Sequence, residues 1–232
     1  MNDEDIKLSE EAYTWVKIND HVIIQDFVGV AEFVSDTQPV TLFMAGSPGV
    51  GKTEVSKRLI ARFTQKPVRI DADEIRVKCP GYEGSRAHIY QKAATKGVHI
   101  LYDYALKKNI NVILDGTFAY AKALDNIKRS LEYKRKVEIF FVYQDPLQAW
   151  DFTKKREAIE QRRVDKTVFI DAYFKSRENV NLAKEEFGKE IELNLMIKDF
   201  EKDLERLELN IQKIEPYIKK LYNREELEEL LT

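Results

Sequence analysis

Gly46-Ser47-Pro48-Gly49-Val50-Gly51-Lys52-Thr53 reads G-x-x-x-x-G-K-[ST], and no other stretch constrains the fold as far. This spacing works only between a strand and a helix, because the loop must present successive backbone N–H groups to one anion. Val40-Thr41-Leu42-Phe43-Met44-Ala45 precedes it as an apolar, strand-like run, and Glu54 to Ala61 follows as a helix-forming one. Lys52 is placed to reach β- and γ-phosphates, and the Thr53 hydroxyl to ligate Mg²⁺. The helix N-terminus adds partial positive charge at the same point. The motif therefore predicts an α/β chain that binds a nucleoside triphosphate, ATP with GTP as the alternative.

Composition narrows the class. With 232 residues the chain can bury one sizeable core. The 38 basic and 40 acidic residues leave a formal charge of −2, which argues against a nucleic-acid partner. A single cysteine, Cys79, excludes an internal disulfide framework and suits a reducing cytoplasm. No apolar run reaches membrane-spanning length, and the acidic start is unlike a signal peptide. The expectation is one cytoplasmic domain over 1–232, with a helical extension over 1–36 and a tail over 200–232.

Periodicity supplies the order of elements. Two short helices are predicted before residue 36, the first capped by Ser9 and running Glu10 to Val16. The second carries Ile23, Ile24, Phe27, Val28, Ala31 and Phe33 on its apolar face. Val68 to Ile70 reads as a short strand delivering Asp71 and Asp73, expected beside the strand that leads into the glycine loop. After the Cys79-Pro80-Gly81-Tyr82 turn, a long helix is predicted from about Ser85 to Lys108. Asn111 to Thr117 is a third strand ending in Asp115-Gly116-Thr117, and Val137 to Tyr143 a fourth. Asp145-Pro146 opens a helix that carries the basic stretch Lys154 to Arg163. Lys189 to Lys198 alternates as a last strand, the stretch from Leu204 to Ile214 suits either helix or strand, and Asn223 caps a final helix. Alternating β and α elements make a three-layer sandwich of the P-loop NTPase type, with a mostly parallel sheet flanked by helices.

The remaining residues decide what the triphosphate is for. No N-K-x-D segment specifies guanine as in GTPase switches, and Asp115 is followed by Gly116 rather than by the second carboxylate of a motor ATPase. A small phosphotransferase remains, and it needs a base, cations for the moving phosphoryl group and a cover against water. Asp73 is the candidate base, with helix capping as the alternative use of Asp71 and Asp73. The stretch around Arg156, Arg162 and Arg163 is the candidate lid, since guanidinium forks suit spread phosphate charge. Tyr82, Tyr90 and Phe118 can line a pocket or fill the core. His21, His88 and His99 have no metal-ligand spacing, and His88 lies near the start of the acceptor-side helix. A non-catalytic nucleotide-binding module is the rival reading.

Taken together, Gly46 to Thr53, Ile70-Asp71-Ala72-Asp73-Glu74-Ile75-Arg76 with Pro80 and Tyr82, Leu114-Asp115-Gly116-Thr117 and the arginine stretch resemble the zeta toxin family over about Val40 to Tyr173. The resemblance implies an ATP- and Mg²⁺-dependent kinase for the amino-sugar 3′-hydroxyl of UDP-N-acetylglucosamine, with a small helical antitoxin as partner. It assigns Lys52 and Thr53 to ATP and Mg²⁺ and Asp73 to the acceptor proton. Asp115 and Thr117 go to the substrate, where family members often carry Glu in place of Asp115. Arg156 matches the first lid arginine, and Arg162 or Arg163 the second. Kinases for a nucleoside, an antibiotic or a polynucleotide 5′-end are the alternatives within this class.

Overall fold

The computed structural model describes residues 2–29, 33–160, 163–199 and 204–232. Among these, one sheet holds β1 (Val40–Ala45), β2 (Val68–Asp71), β3 (Val112–Asp115), β4 (Lys136–Tyr143), β5 (Ile191–Asp199) and β6 (Leu204–Glu208), in the order β2-β3-β1-β4-β5-β6. Pairs among β1 to β5 are parallel, while β6 runs antiparallel to β5. Leu42 and Met44 of β1, with Phe140 and Val142 of β4, enter one core; Phe43, Ala45, Ile139 and Phe141 enter the other. A sheet covered on both faces needs apolar side chains at consecutive positions, which is why these strands appear as unbroken apolar runs.

Parallel neighbours need crossovers, and helices provide them. They are α3 (Lys52–Leu59), α4 (Ala72–Lys78), α5 (Gln91–Lys107), α6 (Ala123–Glu132), α7 (Pro146–Glu160) and α8 (Lys166–Phe187). Leu101, Tyr102 and Ala105 of α5 and Ile127 of α6 pack on one face; Val55 and Leu59 of α3, Trp150 of α7 and Phe169 of α8 pack on the other. The α/β sandwich is the one the motif predicts. At the N-terminus, α1 (Asp3–Ile18) and α2 (Asp20–Val28) bury Ala12, Val16, Ile23 and Val28 in the α5 core. At the C-terminus, Asn223 caps α9 (Arg224–Leu230) with a reciprocal bond to Glu226.

Several elements differ from the sequence expectation. Helix α1 starts much earlier than Ser9, because Asn2 and Asp5 form a capping box, and Ser9 is a buried interior residue. The long helix begins at Gln91 rather than Ser85; Gly84 to Arg86 makes a 3-10 turn, and Ile89 is buried just ahead of the helix. Helix α8 has no counterpart in the prediction. Its buried side changes course, from Phe169, Ile170 and Tyr173 in one core to Val180 and Ala183 in the other, with Ser176 and Lys184 buried along the way. That breaks the single apolar stripe by which a helix is recognised. The ambiguous tail is resolved as strand by its ladder to β5, where Met196 faces Leu207 and Ile197 faces Arg206. Ala31, expected on the α2 face, lies outside the described residues.

Candidate active site

The glycine loop joins β1 to α3 at the C-terminal edge of the sheet, where open α/β sheets bind ligands. Val50 is buried and anchors the loop from below, and the Gly46 N–H donates to the Thr117 carbonyl at 3.2 Å. Gly49 sits at φ 77°, and a Cβ there would collide with the Ala149 carbonyl and the Thr153 hydroxyl of α7. Only glycine permits that approach. Lys52 and Thr53 occupy the first turn of α3, and Lys52 Nζ donates to the Ser47 carbonyl at 2.7 Å, which holds the amine across the loop. Backbone donors, helix N-terminus and lysine therefore converge as a phosphate cradle requires, and the residues present fit a nucleoside triphosphate.

Sheet order corrects one expectation. Asp73 does not stand beside the glycine-loop strand, because β3 lies between β2 and β1. A residue at the end of β2 therefore reaches the phosphate loop across the end of β3, and Asp115 is the group in between. Asp71 takes the capping role: its Oδ1 accepts the Asp73 N–H at 2.9 Å and starts α4. The Asp73 carboxylate pairs with Nη1 of Arg76 one turn on. Arg76 in turn donates to Gln91 at the start of α5. Burial pushes the Arg76 pKa down from its ordinary value, while Tyr82 and Asp71 oppose that shift.

Asp115 is tied from two sides. Its Oδ2 accepts from Ser56 Oγ at 2.7 Å and from Arg69 Nη1 at 2.6 Å. Ser56 Oγ also lies 3.0 Å from the Thr53 carbonyl, so the first turn of α3 and the end of β3 meet at one hydroxyl. Arg69 reaches Asp71 at 3.0 Å as well and pairs with Glu74. Ser56 thus links the Thr53 backbone to the Asp115 carboxylate. Both of these side-chain bonds to Asp115, from Ser56 and from Arg69, fall on Oδ2. Among the described residues no cluster of three or more His, Cys, Asp or Glu offers a metal site without phosphate oxygens. That donor set suits Mg²⁺, which is commonly bound by one or two protein oxygens plus phosphate.

The other predicted residues divide. Thr117 is fixed to the start of the loop through its carbonyl and is partly exposed, next to the exposed Gly116. Tyr82 packs edge-on against Tyr90 at 5.3 Å and is half-buried, whereas Tyr90 and Phe118 are fully buried core residues. His88 is exposed, just after the short turn that carries Arg86. On α7, Ala149 and Thr153 press against Gly49 and Arg156 follows one turn later, so all three share one helix stripe. Arg156 is exposed, and Arg163 is exposed with Nε 3.1 Å from Asp165. Gln161 and Arg162 lie outside the described residues. Sequence reading missed Ser56, Arg69 and Gln91. Ser56 carried a usable signal, since it lies one helical turn after Thr53 on the glycine-loop helix.

A family model described as zeta toxin matches residues 26–204. No curated protein matches the chain by sequence. Among solved structures, the PezAT chromosomal toxin-antitoxin system of Streptococcus pneumoniae is 16% identical, covering 100% of this chain and 88% of that one at a TM-score of 0.57. The AvrRxo1-ORF1:ORF2 complex, solved with ATP, is 13% identical, covering 92% and 70% at a TM-score of 0.60. A chain of the Pnkp1/Rnl/Hen1 RNA repair complex is 18% identical, covering 82% and 54% at 0.50. At these identities the structures establish a shared fold, and the family match, spanning most of the chain from α2 to the start of β6, settles membership. This chain belongs to the zeta toxin family.

Proposed function

We propose that this protein is an ATP-dependent phosphotransferase that moves the γ-phosphate to a hydroxyl of a small molecule, with the amino-sugar 3′-hydroxyl of UDP-N-acetylglucosamine as acceptor. The observation that carries the proposal is the order β2-β3-β1, which lines Asp73, Asp115 and Lys52 along one sheet edge. In this reading an acceptor lies between Asp73 and the phosphate end of the loop, across the end of β3.

In this reading Lys52 and the loop amides hold the phosphates, and Thr53 with Asp115 holds Mg²⁺. Bound ATP supplies the phosphoryl group. Asp73 takes the acceptor proton as the new O–P bond forms and the bond from phosphorus to the β-phosphate oxygen breaks. The Arg76 guanidinium pairs with the Asp73 carboxylate and orients it. Arg156, with Arg162 or Arg163, closes over the transferring group, where guanidinium forks match its spread charge. Tyr82, His88 and Thr117 border the acceptor side. The family and the toxin-antitoxin neighbours support a small helical antitoxin as partner.

The deciding experiment incubates the protein with labelled ATP and a panel of nucleotide-sugars, nucleosides, aminoglycosides and RNA 5′-hydroxyl ends, scored by mass shift. Phosphorylation of UDP-N-acetylglucosamine, lost in Lys52→Ala, is the expected result. A product only on another acceptor keeps the reaction and replaces the substrate. ATP binding with no product on any acceptor would leave a nucleotide-binding module and overturn the proposal.

A further inference from the structure

Lys198 stands at the C-terminal edge of the sheet, on a stretch of β5 that runs past Tyr143, the end of its partner β4. Its neighbour Met196 packs in the core that holds Val55 and Leu59, so strand alternation puts Lys198 on the α3 side. The side chain is only 8% exposed. It ends against the glycine loop: a Cβ built on Gly51 would lie 2.7 Å from Lys198 Nζ and 3.2 Å from Glu54 Oε2. Gly51 is at φ 79°, directly before Lys52, so the absence of a side chain there admits a second ammonium to the loop's outer wall.

One counter-charge comes from β6. Glu205 Oε1 is 3.8 Å from Lys198 Nζ, and the same carboxylate takes both oxygens to Arg58 Nη1 of α3, at 3.1 and 2.9 Å. Arg58 therefore fixes Glu205 to the glycine-loop helix whether or not Lys198 is attached. An amine on four methylenes can then pivot toward a stronger anion while its former partner stays neutralised.

We propose that Lys198 is a second lysine of the nucleotide site, contacting the α/β end of the polyphosphate, with Glu205 as one of its resting counter-ions. This rests on the reading that the loop binds nucleoside triphosphate. The position assigns the end. Lys52 crosses the loop to Ser47 and serves the β/γ end, while the loop amides, that of Gly51 among them, cradle the α/β-phosphates. A cation there stabilises ATP and ADP alike, so it governs binding of both more than transfer. It also ties the β5–β6 hairpin to the state of the loop, because binding would exchange the Lys198–Glu205 contact for a phosphate contact.

The test is equilibrium binding of ATP, ADP and adenosine to wild type, Lys198→Met, Lys198→Arg and Glu205→Gln, with folding checked by circular dichroism. Losing one charge-assisted contact predicts about 10- to 100-fold weaker binding of both ATP and ADP to Lys198→Met. Lys198→Arg keeps most of the affinity, and adenosine binding does not move. Glu205→Gln, by weakening the competing anion, tightens ATP severalfold; this arm decides the matter should Lys198→Met not fold. Wild type that binds ATP while Lys198→Met binds it equally well would overturn the role of Lys198 alone. Wild type that binds neither ATP nor ADP would overturn the nucleotide reading and this inference with it.

Discussion

Asp71 and Asp115 are direct partners across the β2–β3 ladder, and one nitrogen, Arg69 Nη1, stands 3.0 Å from the first and 2.6 Å from the second. Two carboxylates in register on neighbouring strands repel, and these are nearly enclosed, at 15% and 3% exposure. Arg69 makes the arrangement tenable. It is itself 10% exposed, so its charge acts with little screening. The carboxylate that caps α4 and the one that bonds Ser56 of α3 are thereby fixed relative to each other.

Removing that cation should be costly. Arg69→Leu leaves two enclosed carboxylates without their shared partner and should destabilise the fold by about 3–5 kcal/mol, the range for breaking a buried ion pair. Arg69→Lys should recover only part of this, because a single ammonium cannot fork to Asp71, Glu74 and Asp115 together. Urea unfolding of the three proteins measures it; equal midpoints would show that solvent, not Arg69, separates the carboxylates.

Asp73 is predicted to act in the chemical step and little in nucleotide binding. Asp73→Asn preserves size and the chance of a bond from Arg76, so turnover should fall by about 10²- to 10⁴-fold with ATP affinity nearly unchanged. Steady-state kinetics beside direct ATP binding separate the two effects. A fall in affinity matched by no fall in turnover would make Asp73 a binding group and not the base.

Much of this arrangement was legible before any coordinates, and the reason is local. The glycine loop, Asp71 before Asp73, and Asp115 before Gly116 each sit at the end of a short apolar run, so strand and site announce each other. What escaped was set by sheet order and by long-range pairing. Nothing near Val68 says that β3 intervenes before β1, and nothing near Arg69 says that a residue 46 positions away shares its guanidinium. Ser9 misled because Ser is a good cap anywhere, and the Asn2–Asp5 capping box at the true start lies where chain ends are usually discounted. Lys198 escaped for a related reason: alternation marks its strand but not which loop its amine meets.

Gly49→Ala tests the close approach of α7 to the loop. The residue would need φ near 77°, at a cost of about 1–2 kcal/mol for an L-residue, and its methyl would press into the Ala149 carbonyl. Either α7 moves away, carrying the stripe that ends in Arg156, or the loop opens. Both outcomes predict weaker ATP binding and a lower Tm, read by calorimetry. Full binding with unchanged Tm would mean that the loop and α7 are not in register.

The anchor of the N-terminal helix should respond to acid with a defined sign. Arg86 donates to Asp5 at 2.6 Å, and this bond, more than the Asn2 N–H or the nearby positive charges, holds the Asp5 carboxyl below its ordinary pKa; burial opposes the shift. A depressed folded pKa means that the unfolded chain binds the proton more readily, so the pair stabilises the fold above the unfolded value of about 3.9. That contribution is lost as pH falls from there through the lower folded value. Wild type should therefore exceed Asp5→Asn in Tm by a constant margin from pH 7 down to about 5, and the margin should close as the pH approaches 3. Because Arg86 directly precedes the Ala87–Tyr90 segment, the same titration should loosen the His88 rim. Hydrogen exchange of the Ala87 to Tyr90 amides should accelerate over the same interval in wild type, and in Asp5→Asn should already be fast at pH 7. A margin that persists to pH 3 would show that the ionised Asp5 carboxylate is not what stabilises the anchor.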